Sequence, residues 1–154
     1  MAIIEFARNK LKLKKATSSE FDKKGLHVVG LINEWTKDGK KIKGTDKNLG
    51  GTMRLGSYEA KLKENSLIKK IYKKDLIKER HRHRYEVNIN LKEQFEKKGM
   101  IFSGLSPDET LPEIIELKNH PWFVGVQFHP EFKSRPLAPH PLFSSFIKAS
   151  KIHK

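Results

Sequence analysis

Apolar residues recur at helical spacing near both ends of the chain. At the start they occupy positions 3, 4, 6, 7 and 11, which predicts an amphipathic helix over residues 2–11. No Ser, Thr, Asp or Asn precedes this helix to cap its free N–H groups. Residues 141–151 repeat the pattern and predict a closing helix. Two shorter helices are predicted near 66–72 and over 91–98, the second ended by Gly99.

The segments between these helices carry patterns that are typical of strands. Apolar runs or alternation at a period of two predict strands over residues 27–32, 58–62, 100–104, 111–117 and 122–128. A connection rich in Lys, Gly and Asp over 38–47 predicts a surface loop. Because helices and strands are intermixed along the chain, we predict an α/β or α+β domain with a mixed sheet.

Composition limits the classes of protein to which the chain can belong. Its 154 residues suit one domain, and nine Phe and 36% hydrophobic residues favour a folded core. The absence of cysteine excludes disulfides, Cys-ligated zinc and iron–sulfur clusters. No secretion signal and no apolar run of ~20 residues is present, so we expect a cytoplasmic protein that does not enter a membrane.

The net charge of +14 could indicate a polyanionic partner, but most of the excess lysines are interleaved with Asp and Glu. Such interleaving is typical of solvated surface, so we do not expect a nucleic-acid partner from charge alone.

The first candidate for chemistry is His129 with Glu131, at the end of the strand predicted over 122–128. Side chains two residues apart in an extended chain lie on the same face. A carboxylate there can fix the tautomer and orientation of an imidazole, which would make His129 a general base and Glu131 its orienting partner. An ordinary surface turn explains the same residues.

The second candidate is the segment ERHRHRYEVN at 79–88, in which arginines and histidines alternate. If it is extended, the arginines share one face and can bind a carboxylate or phosphate. His81 and His83 would share the other face. We expect no metal there, because zinc needs three or four ligands and no cysteine is available. A nucleic-acid strip is an alternative, although only Tyr85 supplies an aromatic ring.

A pair of glycines, Gly50 and Gly51, resembles a phosphate-binding loop only in part. The Gly-Lys-Ser/Thr ending of such a loop is missing, and so is the helix pattern that should follow it. A tight turn is the better interpretation.

Three motifs, in this order, resemble the C-terminal region of the CTP synthase family. They are GGTMRLG at 50–56, ERHRHRYEVN at 79–88 and HPWFVGVQFHPEF at 120–132. The sequences FARN at 6–9, TSSEF at 17–21 and PHPLF at 139–143 are also similar to the family, so the resemblance covers nearly the whole chain. His-Pro-Glu alone would indicate only the wider class I glutamine amidotransferase group.

The resemblance implies an α/β glutaminase domain in which a cysteine at a strand-to-helix elbow attacks the side-chain amide of glutamine. It implies that His129 is the general base and Glu131 its partner, that Arg82 pairs with the α-carboxylate of L-glutamine, and that Glu20 contacts the polar end of that substrate. The released ammonia would pass to a separate N-terminal synthetase domain that uses ATP and magnesium to aminate UTP. This chain itself is expected to hold no cofactor.

The chain departs from the family pattern at the nucleophile. In the family, a Gly-rich Cys-Leu-Gly-Met-Gln-like turn leads into the helix that corresponds to residues 2–11, whereas this sequence contains no cysteine. We therefore expect residues 1–154 to be a partial glutamine amidotransferase domain, incomplete at its N-terminus and inactive alone. The missing N-terminal part, on a separate chain, is a candidate partner. The alternative is a non-catalytic module that binds anions or nucleic acid on the same scaffold.

Overall fold

A computed structural model describes residues 1–31 and 53–153 of the chain. The loop predicted over 38–47 and the glycine pair Gly50 and Gly51 lie outside these described residues. No helix within the described ranges is both long enough and apolar enough to cross a membrane.

The described helices lie close to their predicted positions. They are α1 (Ala2–Asn9), α2 (Leu67–Tyr72), α3 (Lys92–Lys97) and α4 (Pro141–Ile152). Ser66 caps α2 by accepting a hydrogen bond from the backbone N–H of Lys69, whereas no side chain caps the start of α1. Gly99 follows α3 with a φ of +96°, a left-handed conformation that L side chains rarely adopt. The predicted role of Gly99 in ending this helix is confirmed.

The described strands form two sheets. They are β1 (Ala16–Ser18), β2 (Leu26–Leu31), β3 (Arg54–Leu62), β4 (Leu76–His83), β5 (Tyr85–Val87), β6 (Met100–Leu105), β7 (Pro112–Leu117) and β8 (Val124–Val126). The order β1-β2-β5 gives a three-stranded sheet, in which β1 is parallel to β2 and β5 is antiparallel to it. The order β4-β3-β6-β7-β8 gives a five-stranded antiparallel sheet. The mixed α/β architecture is confirmed.

The strand predicted over 122–128 is wrong in its extent, because β8 covers only Val124–Val126, beyond which Gln127 adds one backbone hydrogen bond to Glu113 of β7. At its start, the indole N–H of Trp122 donates to Ser145 Oγ at 2.8 Å. The same ring packs against Phe146 of α4 at 5.1 Å. These contacts draw Trp122 towards the C-terminal helix and away from the strand pairing.

The polar segment 79–88 is extended over β4 and β5, broken only at Arg84. On β4 the side chain of His81 is buried, whereas Arg80 and Arg82 are exposed. The predicted separation of arginine and histidine faces is therefore confirmed for β4, and a strand that looks uniformly polar in sequence turns every second residue into the protein interior.

Two apolar clusters form the core. The first packs the buried face of α1, which is Ile3, Ile4, Phe6 and Ala7, against the three-stranded sheet, α3 and β6. The second packs α2 and the start of α4 against the five-stranded sheet, with Phe128 at its edge. Burying these side chains supplies the main stabilisation of both layers.

A buried ion cluster joins the two sheets. The Arg54 guanidinium of β3 lies 2.7 Å from Glu113 on β7 and 3.2 Å from Glu86 on β5. All three side chains are at most 7% exposed. Gln127 donates to the second oxygen of Glu86 at 2.9 Å, and the Tyr58 ring lies 4.5 Å below the guanidinium. One arginine thus connects strands of both sheets.

A chain of imidazoles extends this cluster. His83 Nδ1 lies 3.2 Å from the carbonyl oxygen of Tyr85, which can only accept, so we assign the hydrogen to Nδ1. His83 Nε2 then accepts from His81 Nδ1 at 2.9 Å. His81 Nε2, which carries the lone pair, lies 3.5 Å from Glu113 Oε2, and neither atom has a hydrogen-bond partner among the described residues. A proton on Glu113 Oε2 could be donated to His81 Nε2, so that one hydrogen bond would give both atoms a partner.

Burial favours the neutral forms of the ionisable groups in this cluster, because it lowers the pKa of a histidine and raises that of a carboxyl group. Burial and the nearby Arg54 charge lower the pKa of His81 to about 3 and that of His83 to about 4. Burial raises the pKa of Glu113 above its ordinary value and that of Glu86 to about 7, against the opposing effect of Arg54. The carboxyl groups of Glu86 and Glu113 thus share one guanidinium. If one of them is protonated, the contact with His81 Nε2 favours Glu113 as the group that carries the proton.

Replacing Arg54 with methionine should strongly destabilise the fold. Two buried carboxyl groups would lose their charge partner, and breaking a buried ion pair in this way costs about 3–5 kcal/mol. Urea unfolding at neutral pH measures the loss. Arg80→Met, an exposed arginine on β4, is the matched control and should change the free energy of unfolding by no more than about 0.5 kcal/mol. Equal effects of both substitutions would contradict a structural role for the cluster.

His81 and His83 should remain neutral at pH 5. Their folded pKa values lie below the ordinary value of 6.5, so their contribution to stability is complete above about pH 6.5 and is lost as the pH falls through about 4 and 3. Long-range ¹H–¹⁵N correlation spectra report the protonation state of each ring nitrogen. A fully protonated ring at either position at pH 5 would contradict the hydrogen-bond chain.

Candidate active site

The structure brings His129 and Glu131 together, with His129 Nδ1 at 2.7 Å from Glu131 Oε1. The pairing arises in a different way from the shared strand face that the sequence suggested. β8 ends at Val126, and His129 directly precedes a 3-10 helix over Pro130–Lys133. The tight turn of this helix, which we call the Pro130 turn, brings the carboxylate back to the ring.

The contact leaves one imidazole nitrogen available. With the Glu131 carboxylate as acceptor, we assign the hydrogen of the neutral ring to His129 Nδ1, so Nε2 carries the lone pair. The ring stacks on Phe132 at 4.9 Å, and its side chain is 36% exposed. The hydrogen bond from His129 lowers the pKa of Glu131 below its ordinary value. An oriented imidazole with a free nitrogen can accept a proton from a reactant.

Strand β4 ties this pair to the second candidate group. The backbone N–H of His129 donates to the carbonyl oxygen of Arg80 at 2.8 Å. Arg82 is exposed two residues further along the same strand. The backbone bond therefore sets the position of the imidazole along the strand that carries the predicted glutamine-binding arginine.

Glu20 and Arg82, predicted from the resemblance to bind glutamine, line one open depression of about 390 Å³. The other lining residues are Met53, His83, Arg84 and Tyr85. Glu20 lies just after β1, where its backbone N–H donates to Ser18 Oγ at 3.2 Å. The depression thus places an anionic side chain among cationic ones, as an amino acid with both an ammonium and a carboxylate group requires.

Individual roles for His83, Arg84 and Tyr85 in this depression do not follow from the sequence. The available signal was their position in ERHRHRYEVN, on either side of the break at Arg84 between β4 and β5. Where the strand breaks, alternation of faces no longer predicts the direction of each side chain, so lining residues could not be separated from the rest.

The two candidate pairs are neighbours but do not line the same depression. His129 and Glu131 are not among the residues around the space between Glu20 and Arg82. His83 lines that depression, and burial first and the Arg54 charge second lower its pKa. Within the described ranges, no three His, Asp or Glu side chains are grouped as a metal would require.

A separate hollow of about 270 Å³ lies beside the start of α1 and the strands β7 and β8. Its lining is mainly apolar, with Ile3, Val29 and Val87 among the contributors. Among the described residues that line it, Glu113 has the only ionisable side chain, and that carboxyl is already hydrogen-bonded to Arg54. The hollow therefore offers less for glutamine chemistry than the depression at Arg82.

Comparison with known proteins places the chain in a family. Residues 4–149 match the family described as glutamine amidotransferase class-I. The chain is 86% identical to CTP synthase of Pelagibacter ubique (strain HTCC1062) over all 154 residues, which is 29% of that protein. It is 59% identical to CTP synthase of Zymomonas mobilis subsp. mobilis over 151 residues, which is 28% of that protein. The chain thus spans under a third of the length of these relatives.

The fold is similar to a solved glutaminase domain. The structure described as Trypanosoma brucei CTPS, glutaminase domain with bound acivicin, superposes with a TM-score of 0.82 and 33% sequence identity. The match covers 97% of this chain and 56% of that one. The chain therefore belongs to the class-I glutamine amidotransferase family, in the group formed by the glutaminase domains of CTP synthases.

Proposed function

We propose that these 154 residues supply the general base and the glutamine-binding groups of a CTP synthase glutaminase. The enzyme would hydrolyse L-glutamine and deliver ammonia for the ATP-dependent amination of UTP to CTP in the cytoplasm. The observation that carries the proposal is the 2.7 Å contact between His129 Nδ1 and Glu131, which leaves Nε2 free beside the strand that bears Arg82. The 86% identity to a CTP synthase supports it.

Glutamine would be held by charge complementarity in the depression. Arg82 would pair with the α-carboxylate, since a guanidinium binds carboxylates through two parallel hydrogen bonds. Glu20 would pair with the α-ammonium group at the same polar end. This orientation would leave the side-chain amide pointing away from the charged groups, where the reaction takes place.

His129 would move protons in each step. As the thiol attacks the amide carbon, Nε2 takes the thiol proton and then passes it to the departing nitrogen, which leaves as ammonia. Nε2 next takes a proton from water, whose oxygen attacks the thioester. Glutamate forms and the thiol regains a proton from the imidazolium. Glu131 stabilises the imidazolium and keeps Nδ1 protonated throughout.

The thiol must come from chain outside these residues, because the sequence contains no cysteine. Residues 1–154 would accordingly form part of a glutaminase domain and would be inactive alone. The ATP, magnesium and UTP sites would also belong to the part of the relatives that this chain does not cover. A complementary N-terminal part, on the same or a separate chain, would therefore be the partner.

The alternative of an anion- or nucleic-acid-binding module has less support. Arg82 shares its depression with the carboxylate of Glu20, which would repel a phosphate at that position. An amino acid that carries both charges fits the same groups better.

Replacing His129 with asparagine should abolish most glutamine hydrolysis. The assay uses a chimera in which these 154 residues replace the aligned part of the Pelagibacter ubique relative. Loss of the base should lower kcat/KM for glutamine by about 10²–10⁴-fold. Amination of UTP from added ammonium is the control and should persist, because it bypasses the imidazole. Unchanged glutamine hydrolysis in the variant would rule out His129 as the base.

Replacing Arg82 with methionine should weaken glutamine binding without affecting use of ammonium. Loss of a charged hydrogen bond to the substrate carboxylate should raise KM for glutamine in the chimera about 10–100-fold. Arg135→Met, an exposed arginine after the Pro130 turn, is the matched control. If both variants show the same KM as the parent chimera, the carboxylate contact lies elsewhere.

A further inference from the structure

Glu79 is a buried carboxylate beside the candidate base. It lies on β4, is 2% exposed, and points into the interior on the face opposite Arg80. Tyr72 O–H donates to its Oε1 at 3.1 Å, and His140 Nε2 lies 3.2 Å from the same oxygen. His140 Nδ1 accepts the backbone N–H of Leu142, so Nε2 carries the hydrogen and donates to Glu79.

The other oxygen of Glu79 faces a lysine. Within the described part of the chain Oε2 has no hydrogen-bond partner, but the Lys133 ammonium lies 3.3 Å away. That ammonium also donates to the carbonyl oxygen of Lys78 at 2.7 Å. Lys133 is the last residue of the Pro130 turn, so the charge of Glu79 attracts the far end of this turn.

The Pro130 turn is attached to β4 at two points. At its near end, the backbone N–H of His129 donates to the carbonyl oxygen of Arg80. At its far end, Lys133 meets the carbonyl oxygen of Lys78 and the carboxylate of Glu79. Glu131 lies between the two attachments and has an exposed side chain of its own. Its position relative to the ring therefore depends on both ends.

We propose that Glu79 is a positioning residue for the His129–Glu131 pair, acting through Lys133 to hold the Pro130 turn against β4. This inference rests on the proposed function only where it concerns catalysis, since the geometry can be measured without it. Glu79 also ties the end of α2 and the start of α4 to the same point, through Tyr72 and His140.

The role requires Glu79 to be charged. Burial by itself would raise the pKa of Glu79, but the hydrogen bond from His140 and the charge of Lys133 lower it below the ordinary value. Lys133 is 43% exposed, so without a carboxylate its ammonium can gain hydration by leaving the strand. The turn would then be attached at one end only.

Glu79→Gln is the informative substitution, because it keeps the size of the side chain and an oxygen acceptor while removing the charge. Lys133→Met removes the other partner at a half-exposed position, where the fold should tolerate it. The controls are Glu59→Gln, an exposed glutamate on β3, and Lys70→Met, an exposed lysine on α2. Among the described residues, neither control side chain forms a hydrogen bond or ion pair with the Pro130 turn, and the pairing of Glu59 with Lys78 of β4 is a backbone pairing that Glu59→Gln keeps.

The first measurement is the tautomer of His129 in the 154-residue chain, read from ¹⁵N shifts of its two ring nitrogens. In the parent chain we expect the Nδ1–H form to dominate. In Glu79→Gln and Lys133→Met, the ratio of Nδ1–H to Nε2–H should fall about fivefold, and the double variant should add little to either. An unchanged ratio in Lys133→Met, or a similar fall in the controls, overturns the proposal.

The second measurement separates positioning from catalysis. In the chimera, Glu79→Gln should lower kcat for glutamine hydrolysis about fivefold and leave KM for glutamine unchanged, since Arg82 and Glu20 are untouched. A tautomer shift with unchanged kcat would support positioning and count against His129 as the base. A fall in kcat without a tautomer shift would mean that Glu79 acts by another route, and the positioning proposal would fail.

Discussion

The buried pairing of one arginine with two carboxyl groups holds the architecture together. Arg54 contacts Glu86 of the three-stranded sheet and Glu113 of the five-stranded sheet, and neither carboxyl group is exposed to water. A charge in such an environment is tolerated only when partners surround it. The relative position of the two sheets, and with it the position of β4 and Arg82, therefore depends on contacts that must all form together.

The candidate site was predictable where its residues are adjacent in sequence. His129 and Glu131 are two residues apart, and the alternation in 79–88 separated Arg82 from His81 once the segment was extended. The assumed geometry was nevertheless wrong for the first pair. A residue two positions away can reach an imidazole from a strand or from a 3-10 turn, and short-range spacing does not distinguish them.

The supporting groups could not be found from the sequence, because their partners are distant. Glu79 meets Lys133 and His140, more than fifty residues away along the chain, and Arg54 meets Glu113 at a separation of 59. A lone charged residue in a polar segment suggests solvent exposure, and only the folded structure shows that it is buried. The resemblance to a family supplied the roles at the site but none of these contacts.

The attachment of the Pro130 turn has a consequence for the solution behaviour of the protein. β4 is the outermost described strand of its sheet, and an outermost strand can recruit a strand from another molecule through its unpaired backbone groups. Here the carbonyl oxygens of Lys78 and Arg80 are already occupied by Lys133 and His129. The contacts that orient the imidazole thereby also remove two acceptors from this edge, which disfavours pairing with a strand of another molecule.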